Sequence, residues 1–342
     1  MKKDVHRFQL HEYLIFTAVT LAAMVLCVCV GSVNIPVKDT AAILWNALSN
    51  RPQPDLPWVA IILNSRLPRV FCVALSGAAL SLCGAAMQGL LKNPLADGST
   101  LGVSSGASLG AVIAIACGLT FPGLPFAGTM IMAVLFAFLS LAVILWLAYK
   151  VDYSLSTNTI ILIGVIYSMF VSSAMSVIIT FASEKLRSIT FWTMGSMQGS
   201  SYENAAVLAV ALLLCGAVIV GHAQELNAFA VGEENARHIG VDVRRTKLVL
   251  LIVISVLIGV CVSIGGTIGF VGLVTPHIVR MIVGPNHRRL LPASAFGGAV
   301  FLLLADLTAR TVMRPLELPI GVVTSLVGSV VFIVIFYRMR KG

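Results

Sequence analysis

Apolar runs of roughly bilayer length recur from one end of this chain to the other, and its few charges fall almost entirely in the gaps between them. With 58% hydrophobic and 11% charged residues over 342 positions, a water-soluble core could not hide the apolar surface, so the solvent is lipid. A segment inside lipid must satisfy its backbone internally. Strict strand alternation is absent, so the spans are helices rather than barrel strands.

Taking charge clusters, Pro and Gly groups as breaks gives ten segments, at 13–33, 67–90, 98–118, 127–149, 158–181, 204–222, 247–266, 270–283, 291–311 and 319–337. The expected fold is an all-α polytopic membrane protein with one transmembrane domain over residues 1–342. The eighth segment is too short to cross a core of about 30 Å and contains Pro276, which predicts a half-length or partly re-entrant helix and leaves the count at nine or ten. The first run follows Lys2 and Lys3 but exceeds a signal-peptide core of about 7–15 residues, and no small-x-small site precedes Asn34.

Lys and Arg set the orientation. With the N-terminus inside, 15 of the 23 fall on the cytoplasmic side, and Lys38, Arg51, Arg66, Arg69, Lys185, Arg187, Arg310 and Arg314 remain outside. Both termini are then cytoplasmic. The net charge of +9 follows from this topology, and no patch suited to nucleic acid is visible. The seven cysteines lack metal spacing and read as small apolar packing residues, and Met87, Met130, Met132, Met169, Met175 and Met194 read as core filler.

Two features suggest a transporter built of closely packed helices. Gly102, Gly106 and Gly110 lie one turn apart and make a flat face for a neighbouring helix. Ser81–Gly84 stands ten residues before Pro94, as Ser263–Gly266 does before Pro276, an echo at an offset of 182 that would relate two inverted copies. Residues 223–246 are too polar for lipid and too long for a plain connector, and Gly232 and Gly240 divide them into two short helix candidates. Leu226, Phe229 and Val231 beside Glu233 and Glu234 suit a docking element.

The motifs Arg66-Leu-Pro-Arg69, Gly77 through Gln88, Asn93-Pro94-Leu-Ala96 and Leu101 to Ala107 resemble the first half of the FecCD-like permeases of iron-chelate and cobalamin ABC importers. The second half resembles them at Leu226-Asn227, Gly232-Glu233-x-x-Ala236, Gly266 to Pro276-His277-x-x-Arg280, Asp306-x-x-Ala-Arg310 and Glu317 to Gly321. The resemblance implies a type II importer permease with an inverted repeat, sited in the bacterial cytoplasmic membrane. It further implies pairing with a second permease subunit, two cytoplasmic ATPase subunits and an external substrate-binding protein. The sequence has no Gly-x-x-x-x-Gly-Lys-Ser/Thr loop, so it is expected to be no ATPase itself; it needs no cofactor, and ATP is used by the partner.

By the same resemblance, Arg66, Arg69 and Arg310 are expected to meet acidic groups of the binding protein, the rival role for Arg66 and Arg69 being headgroup anchors. Asp306 is expected to be structural, paired with Arg310 one turn on. The ATPase is expected on Leu226, Asn227, Phe229, Gly232, Glu233, Ala236 and Gly240. Gln88, Asn93, Pro94, Pro276 and His277 are gate or pathway candidates, with a packing role as the alternative for His277. A ferric siderophore is the favoured cargo, with heme or cobalamin as alternatives. An ion-coupled secondary transporter would need intramembrane carboxylates, and a membrane enzyme a paired nucleophile and base; neither pattern is present.

Overall fold

The computed structural model describes residues 8–98, 101–121, 127–153 and 156–341, the side chains of Phe336 and residues 338–341 excepted. Lys2, Lys3 and Arg7, used above for orientation, lie outside the described residues, as do positions 99–100 of the third expected span. In chain order the helices are α1 (Leu10–Cys29), α2 (Val37–Leu48), α3 (Trp58–Ala60), a π-helical turn (Ile61–Arg66), α4 (Leu67–Leu90), α5 (Val103–Ala116), α6 (Ala127–Val151) and α7 (Thr157–Phe181). They continue as α8 (Leu186–Thr193), α9 (Tyr202–Gly221), α10 (Ala223–Val231), α11 (Glu233–His238), α12 (Val243–Gly265), α13 (Val271–Val283), α14 (His287–Thr311) and α15 (Ile320–Lys341). Each of the ten expected spans holds a helix, and among the described residues seven helices are long and apolar enough to cross a bilayer.

Local chemistry sets several boundaries. Ser156, Ser201, Asp242 and Asn286 cap α7, α9, α12 and α14 by accepting backbone N–H bonds from Thr159, Asn204, Arg245 and Arg288. The second span starts earlier than expected, at Trp58, because α3, the π turn and α4 run together for 33 residues. Pro68 has no N–H to give, and the N–H of Leu67 reaches back five residues to Ile62 O, which accounts for the wide turn at this point. The third span is shorter than expected. The chain is non-helical from Leu91 to Gly102 where described, and α5 has only 14 residues.

The core surrounds α4 and α12, whose most apolar stretches are 83% and 67% buried, while those of α1, α7 and α9 are 17%, 17% and 22% buried and turn their apolar side chains outward. Glycine permits the closest approaches. A Cβ on Gly77 would stand 2.3 Å from the Gly298 carbonyl oxygen of α14, and one on Gly84 2.0 Å from that of Gly272 in α13.

The neighbours repeat in a swapped order. Helix α4 packs on α14 as α12 packs on α6; α5 meets α6 as α13 meets α14; α4 meets α13 as α12 meets α5; and α6 meets α7 as α14 meets α15. This is the expected inverted repeat, but the sequence echo does not mark it. Gly84 lies inside α4 whereas Gly266 caps the end of α12, and Pro94 sits in a turn whereas Pro276 sits inside α13, so these pairs are not equivalent. Small residues recur wherever helices crowd, and that produced the coincidence.

Candidate functional site

At one end of the molecule the three arginines expected to face a partner are turned into the chain. Arg66, 5% exposed, donates to Val28 O at 2.9 Å, to Cys29 O at 3.1 Å and to the Val33 carbonyl, so it closes the carbonyl end of α1. Arg69 donates from Nε to Asp306 Oδ1 at 3.0 Å and from Nη1 to Glu317 Oε2 at 2.7 Å. Arg310 Nε pairs with Asp306 Oδ2 at 2.9 Å, and its Nη2 donates to Cys27 O at 3.1 Å. The expected Asp306–Arg310 pair is present, but Asp306 also holds Arg69 from another helix.

All three arginines are thus buried in the isolated chain, at 5%, 8% and 2% exposure for Arg66, Arg69 and Arg310. A guanidinium at this depth needs partners, and carbonyls and carboxylates of the same chain supply them. Only Arg69 and Glu317 reach an open edge, where with Asn64, Gln198 and Tyr202 they line a cavity of about 350 Å³.

Among α4, α5, α7 and the second half of α12 lies a second cavity, of about 330 Å³. Ser104, Ser105 and Ser108 of α5, Ser172 and Met175 of α7, and Asp97, Thr267 and Phe270 of the non-helical segments line it. Gly98 beside it would meet Ile258, 15 residues into α12 and so about 22 Å from its start. Both short helices begin here, α5 after Gly102 at φ 71° and α13 after Phe270 at φ 67°. Irregular backbone at this depth is sustainable because it is enclosed by protein or lines a cavity. Sequence reasoning missed Asp97, the serines and Thr267; the Ser-Ser-x-x-Ser run was their only signal, and it was absorbed into the glycine face.

All three glycines lie against α6, Gly106 and Gly110 through the body of α5 and Gly102 from its cap through Ile144. A Cβ on Gly106 would lie 1.7 Å from Ser140 Oγ and one on Gly110 2.2 Å from Met132 O, both in α6, and one on Gly102 would lie 3.0 Å from Ile144 of α6 and 3.1 Å from the Gly164 carbonyl of α7. The gate candidates separate. Gln88 ties α4 to α13 by donating to Gly272 O at 3.1 Å and Leu273 O at 3.2 Å, and it accepts from Arg280 at 3.2 Å. His277, 6% exposed, lies edge-on to Phe332, and Pro276 is buried one residue before it. Asn93 and Pro94 instead form the turn after α4, where Asn93 Oδ1 accepts from Leu95 N at 2.9 Å.

At the opposite end from the arginines, α10 and α11 form the two-helix element expected of residues 223–246, separated by Gly232 at φ 144° and ended near Gly240 at φ 90°. Its contacts differ from expectation. Leu226, Phe229 and Ala236 are fully buried, Glu233 pairs with Lys247 at 2.8 Å, and Asn227 accepts from the His287 backbone at 2.8 Å and donates to Asn286 at 3.0 Å. These residues seat the element on the chain. Its outward apolar groups are Val231 and Ile239, 73% and 72% exposed.

The family model of the FecCD transport family matches residues 19–338. An uncharacterized ABC transporter permease of Bacillus subtilis is 42% identical over 100% of this chain and 99% of its own. The hemin transport system permease of Yersinia pestis is 36% identical over 94% and 95%, and the cobalamin import system permease of Halobacterium salinarum 39% over 80% and 72%. Among solved structures, an inward-facing metal-chelate type ABC transporter is 32% identical with a TM-score of 0.83, covering 95% of this chain and 98% of that one. Seven membrane-length helices and three shorter apolar ones among the described residues, in an inverted arrangement, agree with a match along nearly the whole length and relatives of the same size, and the chain belongs to the FecCD transport family of ABC importer permeases.

Proposed function

We propose that this permease carries an iron(III)-siderophore-type chelate across the bacterial cytoplasmic membrane, inward, with both termini on the cytoplasmic side. The observation that supports this most is the likeness to a metal-chelate type transporter over 95% of the chain, together with a cavity lined by hydroxyls. One chain's cavity of about 330 Å³ is small for such a cargo. A second permease subunit, identical or closely related, completes the path along the outward-turned faces of α7 and α15. An external binding protein delivers the chelate over the rim that Arg69 and Glu317 border, and two ATPase subunits seated on α10–α11 supply the energy of ATP; the chain itself uses no cofactor.

Cobalamin is the second reading, favoured by the 39% identity to the Halobacterium permease. The test is uptake into proteoliposomes holding the permease with its ATPase and binding protein. Iron-loaded siderophore is expected to accumulate with ATP, and labelled cobalamin is not. Accumulation of cobalamin alone would replace the first reading by the second.

A further inference from the structure

A crevice outside the translocation path lies where α6, α7 and α12 meet α11. Its volume is about 310 Å³, and its lining includes Leu145, Ile160, Leu248 and Leu251 as well as Arg237, Arg244 and Lys247. The two kinds of residue are stacked by depth. Leu145 lies six residues before the end of α6, about 9 Å along the axis, and Leu251 lies eight residues into α12, about 12 Å. Arg237 in α11 and Arg244 in the first turn of α12 stand at the mouth.

The charges do not balance. Lys247, 5% exposed, pairs with Glu233 at 2.8 Å, whereas Arg237 and Arg244 are exposed and, among the described residues, have no carboxylate partner within ion-pair distance. Three cations therefore face one carboxylate across the lining. A soluble anion would suit the mouth but leave the apolar floor empty, and an acyl chain would suit the floor but leave the arginines unanswered.

We propose that this crevice is a binding site for an anionic phospholipid of the adjoining leaflet, with its phosphate between Arg237 and Arg244 and one acyl chain along the half-buried Leu145 and Leu248, over the buried Ile160 and Leu251. Basic pockets between transmembrane helices recognise such head groups, and each arginine near the surface contributes about a fivefold factor in affinity. The lipid would join α11 to α6 and α12. The proposal rests on the orientation given above only for naming the leaflet as cytoplasmic; lipid retention by the purified chain reads the site in either orientation.

The experiment is native mass spectrometry of the full chain released from nanodiscs of phosphatidylcholine and phosphatidylglycerol in equal parts. Wild type is expected to keep one phosphatidylglycerol in preference to phosphatidylcholine. Arg237→Gln with Arg244→Gln should lower its retention about 25-fold, two factors of five. Arg245→Gln, an exposed neighbour off the crevice, should leave retention unchanged. Both arginines are exposed, so thermal unfolding of the double variant should match wild type within a few degrees. Equal retention of both lipids by wild type, or of phosphatidylglycerol by the double variant, would overturn the proposal. Release of the lipid by millimolar inorganic phosphate would overturn it too, in favour of a soluble anion.

Discussion

Asp306, with no exposed surface, holds the guanidinium groups of Arg69 and Arg310 from two helices. Removing one member of such a buried set leaves the others charged and unpaired, which costs about 3–5 kcal/mol. Asp306→Ala should therefore sharply lower the thermal midpoint of the purified chain, whereas Glu317→Gln, at the partly exposed edge, should cost about 1 kcal/mol by the same measurement. The pair Asp306–Arg310 was legible from spacing because a four-residue separation implies one turn. The pair Arg69–Asp306 was not, because 237 positions separate them and nothing in either local sequence fixes the contact. Side-chain type thus identified the charged residues, while the direction in which each one points depended on the packing of α1, α4 and α14.

Among the elements, hydrophobic length located a helix in each of the ten expected segments but not where each helix begins and ends. The early start of the second span follows from the π turn that carries the helix through Pro68, the late start of the third from non-helical backbone enclosed by protein, and hydropathy is blind to both. Glycine contact was legible as a tendency, and its partners were not. Gly84→Ala should force α13 away from α4, because its Cβ would fall 2.0 Å from backbone that cannot rotate aside, at a cost of at least about 1–3 kcal/mol. Gly221→Ala, with no atom within 4 Å, is the control and should change the unfolding midpoint little. Asn227 links α10 to the start of α14 through Asn286 and His287. Asn227→Ala should keep the ATPase bound, since the outward apolar groups remain, but reduce transport per ATP hydrolysed in proteoliposomes. Unchanged coupling would show that this link carries no motion.

The whole molecule has two differently built ends joined by an inverted pair of helix sets, and the assignment of partners to these ends depends on which side chains remain free after folding. Residues 223–246 form the two short helices that their polarity, length and glycines suggested, yet the apolar residues that stand out in the sequence, Leu226 and Phe229, are those the fold itself consumes. Substituting Leu226 would loosen α10 from its seat, and lost ATPase binding would then report damage to the permease. Val231 and Ile239 contact solvent in the isolated chain, so their burial is available to a partner. Fully burying such a side chain contributes about 1.5–3 kcal/mol, and a charge in its place adds a desolvation cost. Val231→Asp with Ile239→Asp should therefore reduce copurification of the ATPase at least tenfold while the permease keeps its wild-type thermal midpoint. Full ATPase recovery from that double variant would move the docking surface away from α10–α11, and a lowered midpoint would show that these two side chains also serve the fold.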